Sequence, residues 1–166
     1  YTNGSISNCC FLRGKIKSSN ITGGIIGNLY MKYIYNYNVT NCNSECQIIA
    51  NKYCGGIIGY ACIDLYNLRE APPKDKLLFL IDSNLSKNCI IEGLDYIGGI
   101  IGYIETSLSR WGLDGGFGIN QTNCMSSNCF ITGRNHLGGS IGYIEHWEND
   151  IEIAIQHCSF SNTIYG

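Results

Sequence analysis

The sequence contains little of what helical proteins are built from. Its 166 residues include only four alanines, two prolines, two methionines and one valine. Alanine is the strongest helix former, so its scarcity argues against a helical bundle. No apolar run reaches the roughly 20 residues that a membrane helix needs, so we expect no membrane span in this segment.

Charge is also sparse. Charged residues make up 14% of the chain, the formal net charge is −2, and the pI is about 5.9. Nucleic-acid-binding domains usually carry a basic face, so we expect no nucleic-acid partner. The length is sufficient for one domain with a sizeable core.

A glycine-rich phrase recurs along a chain that has 21 glycines, 26 isoleucines and 18 asparagines. It reads Gly-Gly-Ile-Ile-Gly in three copies and Gly-Gly-Ser-Ile-Gly in the fourth, starting at Gly23, Gly55, Gly98 and Gly138. Short isoleucine-rich runs between glycines and asparagines are typical of strands. A single unit cannot bury its apolar face, but stacked units can.

These repeats predict an all-β fold, a right-handed parallel β-solenoid of four coils and a partial fifth. A propeller or a helical repeat fits the period, but glycines inside a helix and irregular turn signals disfavour them. We expect a single domain with an inward isoleucine column at Ile26, Ile58, Ile101 and Ile141. The predicted repeats are 6–38, 39–80, 81–118, 119–154 and a partial 155–166, with loop insertions at 28–38, 63–83, 104–121 and 144–154.

The same phrases resemble a known family. Ser127-Asn128-Cys129-Phe130-Ile131-Thr132-Gly133 followed by Leu137-Gly138-Gly139-Ser140-Ile141-Gly142 is similar to the GLUG-motif repeat. Residues 88–93 and 97–102 match it as well. The resemblance implies a β-solenoid stalk or display scaffold of the kind found in surface adhesins and in accessory regions of secreted peptidases, and it implies no catalytic residues.

The ten cysteines fall into two groups. Cys10, Cys46, Cys89, Cys129 and Cys158 are assigned to one repeat position, where we expect an inward ladder of free thiols. The disulfide candidates are the other five, Cys9, Cys42, Cys54, Cys62 and Cys124. The cysteine spacings lack the tight pairs of zinc sites, so we expect no metal and no other cofactor.

Glycosylation sequons and the high cysteine content both indicate an extracellular or cell-surface location. They occur at Asn3, Asn20, Asn38, Asn84 and Asn120. In a eukaryotic host, sequons and disulfides together are typical of secreted glycoproteins. We therefore expect an extracellular or cell-surface protein.

Two function classes fit these observations. The first is a non-enzymatic adhesive or structural scaffold, one segment of a longer stalk or fibre. Its partners would be further repeats or other copies end to end, surface glycans, or proteins of a host or neighbouring cell. The alternative is a carbohydrate-binding or carbohydrate-active β-helix, in which Glu105 and Glu145, at equivalent positions after Gly-Tyr, would supply paired carboxylates. Neither end of the sequence shows a cap, which favours the first class.

Overall fold

The fold consists of parallel strands. The computed structural model describes residues 2–32, 34–64, 77–107, 117–146 and 151–166, and within these ranges all nineteen regular elements are strands. Every strand pair among them is parallel. The prediction of an all-β parallel solenoid is confirmed.

The strands form four sheets. The first sheet contains β1 (Thr2–Ser7), β5 (Ile34–Thr40), β9 (Leu77–Asp82), β14 (Phe117–Thr122) and β18 (Ile151–Gln156). The second contains β2 (Cys10–Lys17), β6 (Asn43–Ile49), β10 (Leu85–Lys87), β11 (Ile90–Glu92), β15 (Met125–Thr132) and β19 (Ser159–Tyr165). The third contains β3 (Ile21–Gly23), β7 (Tyr53–Gly55), β12 (Asp95–Gly98) and β16 (Asn135–Gly138). The fourth contains β4 (Ile26–Lys32), β8 (Ile58–Asp64), β13 (Ile101–Ser107) and β17 (Ile141–His146).

The chain passes through the four sheets in a constant order. Successive passages, called coils 1 to 4 here, occupy residues 2–32, 34–64, 77–107 and 117–146. Coil 5, residues 151–166, supplies strands to the first two sheets. Each strand therefore pairs with its counterpart in the next coil, as in a solenoid. The right-handed winding stays a prediction.

The glycine phrase stacks in register, as the repeat predicts. Gly55 pairs with Gly23 on one side and Gly98 on the other, and Gly98 also pairs with Gly138. Three residues further on, Ile26, Ile58, Ile101 and Ile141 form the expected column. The first three of these isoleucines are buried, and Ile141 in coil 4 is half-buried.

The interior is divided into two apolar clusters. One lies between the first and fourth sheets and includes Ile58, Phe79 and Ile104, and the other lies between the second and third sheets and includes Ile48 and Ile97. Between the two clusters lies a narrow waist. It is formed by three fully buried serines, here called the waist serines (Ser44, Ser86 and Ser126), and by the second glycine of each phrase. A Cβ on Gly24, Gly56 or Gly99 would overlap the side chain of Ser44, Ser86 or Ser126 respectively. Glycine is therefore required at this waist because no space remains for a side chain.

The corner between the first and second sheets is made by one residue per coil. Asn8, Asn41, Ser83, Asn123 and His157 all have a left-handed backbone, with φ between 50° and 56°. Asparagine adopts this region more readily than most residues, which explains its frequency at the corner. A single residue thus turns the chain from one sheet to the next.

The segments predicted as loop insertions contain strands. Residues 28–38 include most of β4 and most of β5, and the other three predicted insertions overlap β8, β9, β13, β14, β17 and β18. The predicted repeat boundaries at 38/39, 80/81, 118/119 and 154/155 fall inside β5, β9, β14 and β18. The remaining parts of those predicted insertions, at residues 33, 65–76, 108–116 and 147–150, lie outside the described residues.

The two ends of the described stack differ. At the amino end the Phe11 ring lies over Gly14, at the place where Cys46 stands in the next coil. The Phe11 ring thus fills the inward position of Gly14 in coil 1. At the other end, Ile153, Ile155 and Ile164 are 44% to 49% exposed, although they pair with the fully buried Ile119, Gln121 and Ile131.

Candidate functional site: an aromatic and carboxylate surface

Two adjoining columns of aromatic rings lie where the third sheet meets the fourth. Tyr60, Tyr103 and Tyr143 pair in register on the fourth sheet, with centroids 5.5 and 5.8 Å apart. The third-sheet column consists of Tyr53, Tyr96 and His136, at 5.3 and 4.8 Å. Rings of the two columns also contact each other at 4.8 to 5.4 Å. Parallel pairing stacks equivalent rings at the spacing of adjacent strands.

Two carboxylates border these aromatic columns. Glu105 and Glu145 pair directly across β13 and β17, which places them on adjacent coils as the sequence predicts. The Tyr60 hydroxyl donates to Glu105 Oε2, and the Tyr103 hydroxyl donates to Glu145 Oε2. Each tyrosine thus donates to the glutamate of the next coil, so the same contact recurs from coil to coil.

The protonation of Tyr60 follows from its surroundings. Burial, and then the hydrogen bond to Glu105, raise the pKa of Tyr60 well above its usual value of 10.0. The hydroxyl therefore stays protonated and acts as a donor to the carboxylate.

Lys52, just before β7, places a cation beside the third-sheet column. Its Nζ lies 4.8 Å from the Tyr53 ring centroid and 5.8 Å from that of Tyr96, where a cation is attracted to the ring faces.

This geometry fits a structural column better than a catalytic site. Acid–base hydrolysis of a glycoside needs two carboxyl groups that face the substrate, whereas both glutamates here accept a tyrosine hydroxyl from the preceding coil. Sugar stacking needs free ring faces, whereas Tyr103 is buried between its neighbours and Tyr53, Tyr60 and Tyr96 are half-buried. The rings that end the columns, Tyr143 and His136, are both exposed.

The structure contains no disulfide between any of the cysteines. All ten cysteines are free thiols, including the five candidates Cys9, Cys42, Cys54, Cys62 and Cys124. Seven of the ten are buried, so they act as small core side chains. Cys54, for example, donates to Glu92 O at 3.3 Å, and burial raises the pKa of its thiol to about 12.

The predicted ladder of repeat cysteines is smaller than expected. Only Cys46, Cys89 and Cys129 stack in the second sheet, where they alternate with the waist serines at Sγ–Oγ distances of 3.1 to 3.7 Å. Cys10 is exposed and pairs with Asn43 instead. The hydrogen bonds from Cys129 and Cys46 lower the pKa of the Cys89 thiol relative to theirs.

Cys158 belongs to a second ladder that sequence reasoning missed. This corner ladder follows the left-handed corner residues and comprises Cys9, Cys42, Asn84, Cys124 and Cys158, linked by backbone bonds between coils. Cys124 Sγ donates to Ile81 O at 3.4 Å, and Asn84 Nδ2 donates to Val39 O at 2.7 Å, each in the preceding coil. The signal in the sequence was a polar residue followed by Cys or Asn in each coil, at 8–9, 41–42, 83–84, 123–124 and 157–158.

Asn84 is therefore unsuitable for a glycan. It is 1% exposed, and its Oδ1 accepts from Cys42 N at 2.9 Å while its Nδ2 donates to the preceding coil. The other sequon asparagines differ in exposure: Asn3 and Asn20 are exposed, and Asn38 and Asn120 are half-buried in the first sheet. Glycosylation at these four sites stays a prediction.

The structure shows neither a metal-binding cluster nor a membrane-spanning helix among its described residues. In the part of the chain that the structure describes, no group of three or more His, Cys, Asp or Glu side chains could hold a metal ion, and no helix is long and apolar enough to cross a membrane. No protein-family model, curated protein or solved structure matches the chain.

Proposed function

We propose that the chain is a non-enzymatic structural or adhesive scaffold, one segment of a longer stalk or fibre, at the cell surface or outside the cell. The observation that carries this is the use of the paired carboxylates. Glu105 and Glu145, the strongest candidates for chemistry, each bind a tyrosine of the preceding coil. Polar groups that repeat in this way hold coils together, as a scaffold requires.

The composition of the interior supports the same function. Its polar members include the waist serines and the ladder thiols, whose partners lie in the same coil or an adjacent one. Such a chain presents its outer surface to partners while its inner columns maintain the stack. The resemblance to GLUG-motif repeats of surface adhesins favours this proposal.

The exposed sequons favour an extracellular location, and the free thiols are compatible with it. Asn3 and Asn20 present their sequons at exposed positions. The seven buried thiols are shielded from solvent, so they can stay reduced where exposed thiols would oxidise. The absence of disulfides in the fold is thus compatible with an oxidising compartment.

A double substitution of the glutamates tests the proposal. The wild-type chain and the Glu105→Gln/Glu145→Gln variant would be assayed on a panel of polysaccharides for cleavage. We expect no cleavage by either protein and a lower melting temperature for the variant, because two charge-assisted hydrogen bonds between coils are weakened. Cleavage by the wild type that the variant lacks would establish the carbohydrate-active alternative instead.

A further inference from the structure

Tyr103 is enclosed by other aromatic rings where the third sheet meets the fourth. Its side chain is 4% exposed, and four rings surround it with centroids 4.8 to 5.8 Å away, those of Tyr53, Tyr60, Tyr96 and Tyr143. The Tyr60 ring is nearly parallel to it, with an interplanar angle of 8° and a centroid distance of 5.5 Å. Because Tyr60 is half-buried, it connects the buried Tyr103 to the surface.

Tyr60 and Tyr103 each have a carboxylate as proton acceptor. The Tyr60 hydroxyl donates to Glu105 Oε2, and the Tyr103 hydroxyl donates to Glu145 Oε2. A phenol that loses one electron becomes a strong acid, so its proton passes to a base within hydrogen-bond reach. Both glutamates are half-buried and already hold that position. The two tyrosines are therefore arranged to lose an electron and a proton together.

The neighbouring rings of the third sheet have a cation beside them instead. Lys52 Nζ lies over the Tyr53 ring at 4.8 Å and over the Tyr96 ring at 5.8 Å. A cation over a ring face attracts the ring electrons, so it makes their removal harder. Lys52 therefore disfavours oxidation of Tyr53 and Tyr96, while their rings still shield Tyr103. This arrangement directs a one-electron oxidation to the fourth-sheet pair.

We propose that Tyr60 and Tyr103 form a redox pair that reacts with one-electron oxidants, such as oxygen-derived radicals, and holds the product as a tyrosyl radical on Tyr103. An electron passes from Tyr60 to the oxidant, the Tyr60 O–H bond breaks, and its proton protonates Glu105. An electron from Tyr103 then reduces Tyr60, which regains its proton from Glu105, and the Tyr103 proton passes to Glu145. The net products are the Tyr103 phenoxyl radical, a protonated Glu145 and the oxidant reduced by one electron. The surrounding rings keep other molecules from this radical. This activity goes beyond the scaffold function and does not depend on it.

Photochemical oxidation of the whole chain tests this activity. A flash on ruthenium tris(bipyridine), with persulfate as the electron acceptor, generates the one-electron oxidant. Phenoxyl absorbance would follow the formation and decay of the radical, and electron paramagnetic resonance of frozen samples would identify it as tyrosyl. We expect the radical to decay more slowly than that of N-acetyltyrosinamide oxidised under the same conditions. Decay at the same rate as in this free derivative would overturn the proposal.

Phenylalanine substitutions identify the tyrosine that holds the radical, because each removes one hydroxyl and keeps the ring. Tyr103→Phe should abolish the long-lived signal. Tyr60→Phe should slow the formation of the radical and leave its decay unchanged, since the electron must then leave Tyr103 directly. Tyr53→Phe and Tyr96→Phe are matched controls that should change neither rate. A long-lived signal in Tyr103→Phe, its loss in either control, or unchanged formation in Tyr60→Phe would contradict the pair.

Substitution of Glu145 tests the proton transfer. In Glu145→Gln the amide oxygen can still accept the Tyr103 hydroxyl but cannot take up its proton, so the radical should form about a hundredfold more slowly. Glu45→Gln is the control, because Glu45 is a half-buried carboxylate that accepts from Asn88 on the second sheet, and it should form the radical at the wild-type rate. Melting temperatures would show that both variants are folded. Equal rates in wild type and folded Glu145→Gln would refute the proton transfer. Absence of a long-lived radical would leave the scaffold proposal standing, because polysaccharide cleavage tests that proposal separately.

Discussion

At the residue scale, polar side chains replace one another in a buried ladder without changing its hydrogen bonds. Asn84 occupies a position that cysteine fills in the four other coils. Its amide accepts the backbone N–H of Cys42, as the Cys124 thiol accepts that of Asn84, and both donate to a carbonyl of the preceding coil. An asparagine and a thiol are therefore interchangeable here because each offers one donor and one acceptor in the same directions.

Substitutions at Asn84 test this equivalence. Asn84→Ala should lower the free energy of unfolding by about 2 kcal/mol, because Cys42 N–H and Val39 C=O are left buried without partners. Asn84→Cys should cost less than half as much, since a thiol makes both bonds in the neighbouring coils. Urea denaturation would measure the two variants, and equal losses would contradict the equivalence.

One column of glycines offers a matched comparison of close packing. A Cβ on Gly27 has nothing within 4 Å, whereas one on Gly59 would overlap the Thr22 carbonyl and one on Gly102 would lie 2.6 Å from that of Cys54. We expect Gly59→Ala and Gly102→Ala to destabilise the protein by about 2 kcal/mol or more, because a backbone carbonyl must move. Gly27→Ala should be neutral or stabilising by up to about 1 kcal/mol, through the unfolded chain. Thermal melts would check the order, and a loss at Gly27 equal to that at Gly59 would contradict it.

At the element scale, the strands around the glycine phrase could be predicted and those of the first sheet could not. The glycine phrase recurs almost unchanged in four coils. Aligning its copies was therefore enough to predict the strand register and the isoleucine column. The first-sheet strands share only alternation between inward and outward side chains, as in Val39 and Thr40 or Ile81 and Asp82. Such strands share few residues from coil to coil, Ile119 and Ile153 being one match, so the comparison of repeated phrases assigned them to insertions.

The two cysteine ladders were confused for a related reason. An Asn-Cys dipeptide occurs both at the sheet corner, as in Asn123-Cys124, and within the second sheet, as in Asn128-Cys129. Both asparagines have φ near 50°, and both thiols point inward, so the residue types alone do not separate them. Only the pairing of Ser159 with Met125 places Cys158 with Cys124.

The corner after β9 contains a carboxylate with a predictable pH dependence. Asp82 accepts hydrogen bonds from Thr122 at 2.7 Å, Asn123 at 2.9 Å and Ser83 at 3.0 Å, and that from Thr122 contributes most to lowering the pKa below its ordinary 3.8. A lowered folded-state pKa stabilises the fold above the unfolded value, and this stabilisation disappears as the pH falls through the folded value.

Substitution of Asp82 should reveal how much its carboxylate contributes to the stability of the fold. Asp82→Asn should lower stability at pH 7 by less than about 1 kcal/mol, because the carboxylate is partly solvated. The difference from the wild type should persist down to about pH 4 and vanish at lower pH. Melting temperatures across this range would measure it. In a Thr122→Val background the difference should shrink, and a difference independent of pH would contradict the assignment.

At the scale of the whole molecule, the ends are unlike each other for reasons that the order of residues does not show. At the amino end, the ring of Phe11 in β2 lies over Gly14, where Cys46 stands in the next coil. At the other end of the described stack, Phe160 is 38% exposed although the equivalent Ser126 is fully buried. The exposure of an aromatic ring at either end therefore depends on the neighbouring coil, and the sequence of one coil alone does not reveal it.

The accessibility of the ten thiols reports whether the whole stack of coils is folded. Cys10 is exposed, Cys9 and Cys158 are partly buried, and the other seven cysteines are buried. Alkylation requires an accessible thiolate, and burial raises the pKa of Cys124 to about 11 and that of Cys54 to about 12. In the native protein a maleimide should therefore label at most Cys9, Cys10 and Cys158, and the remaining seven cysteines should react only on unfolding. Cys10→Ser should remove the fastest phase of labelling.

The same free thiols can be counted directly. Mass spectrometry of the unreduced protein should find ten thiols. A melting temperature lowered by reductant would show that disulfides, rather than buried thiols, hold the coils together.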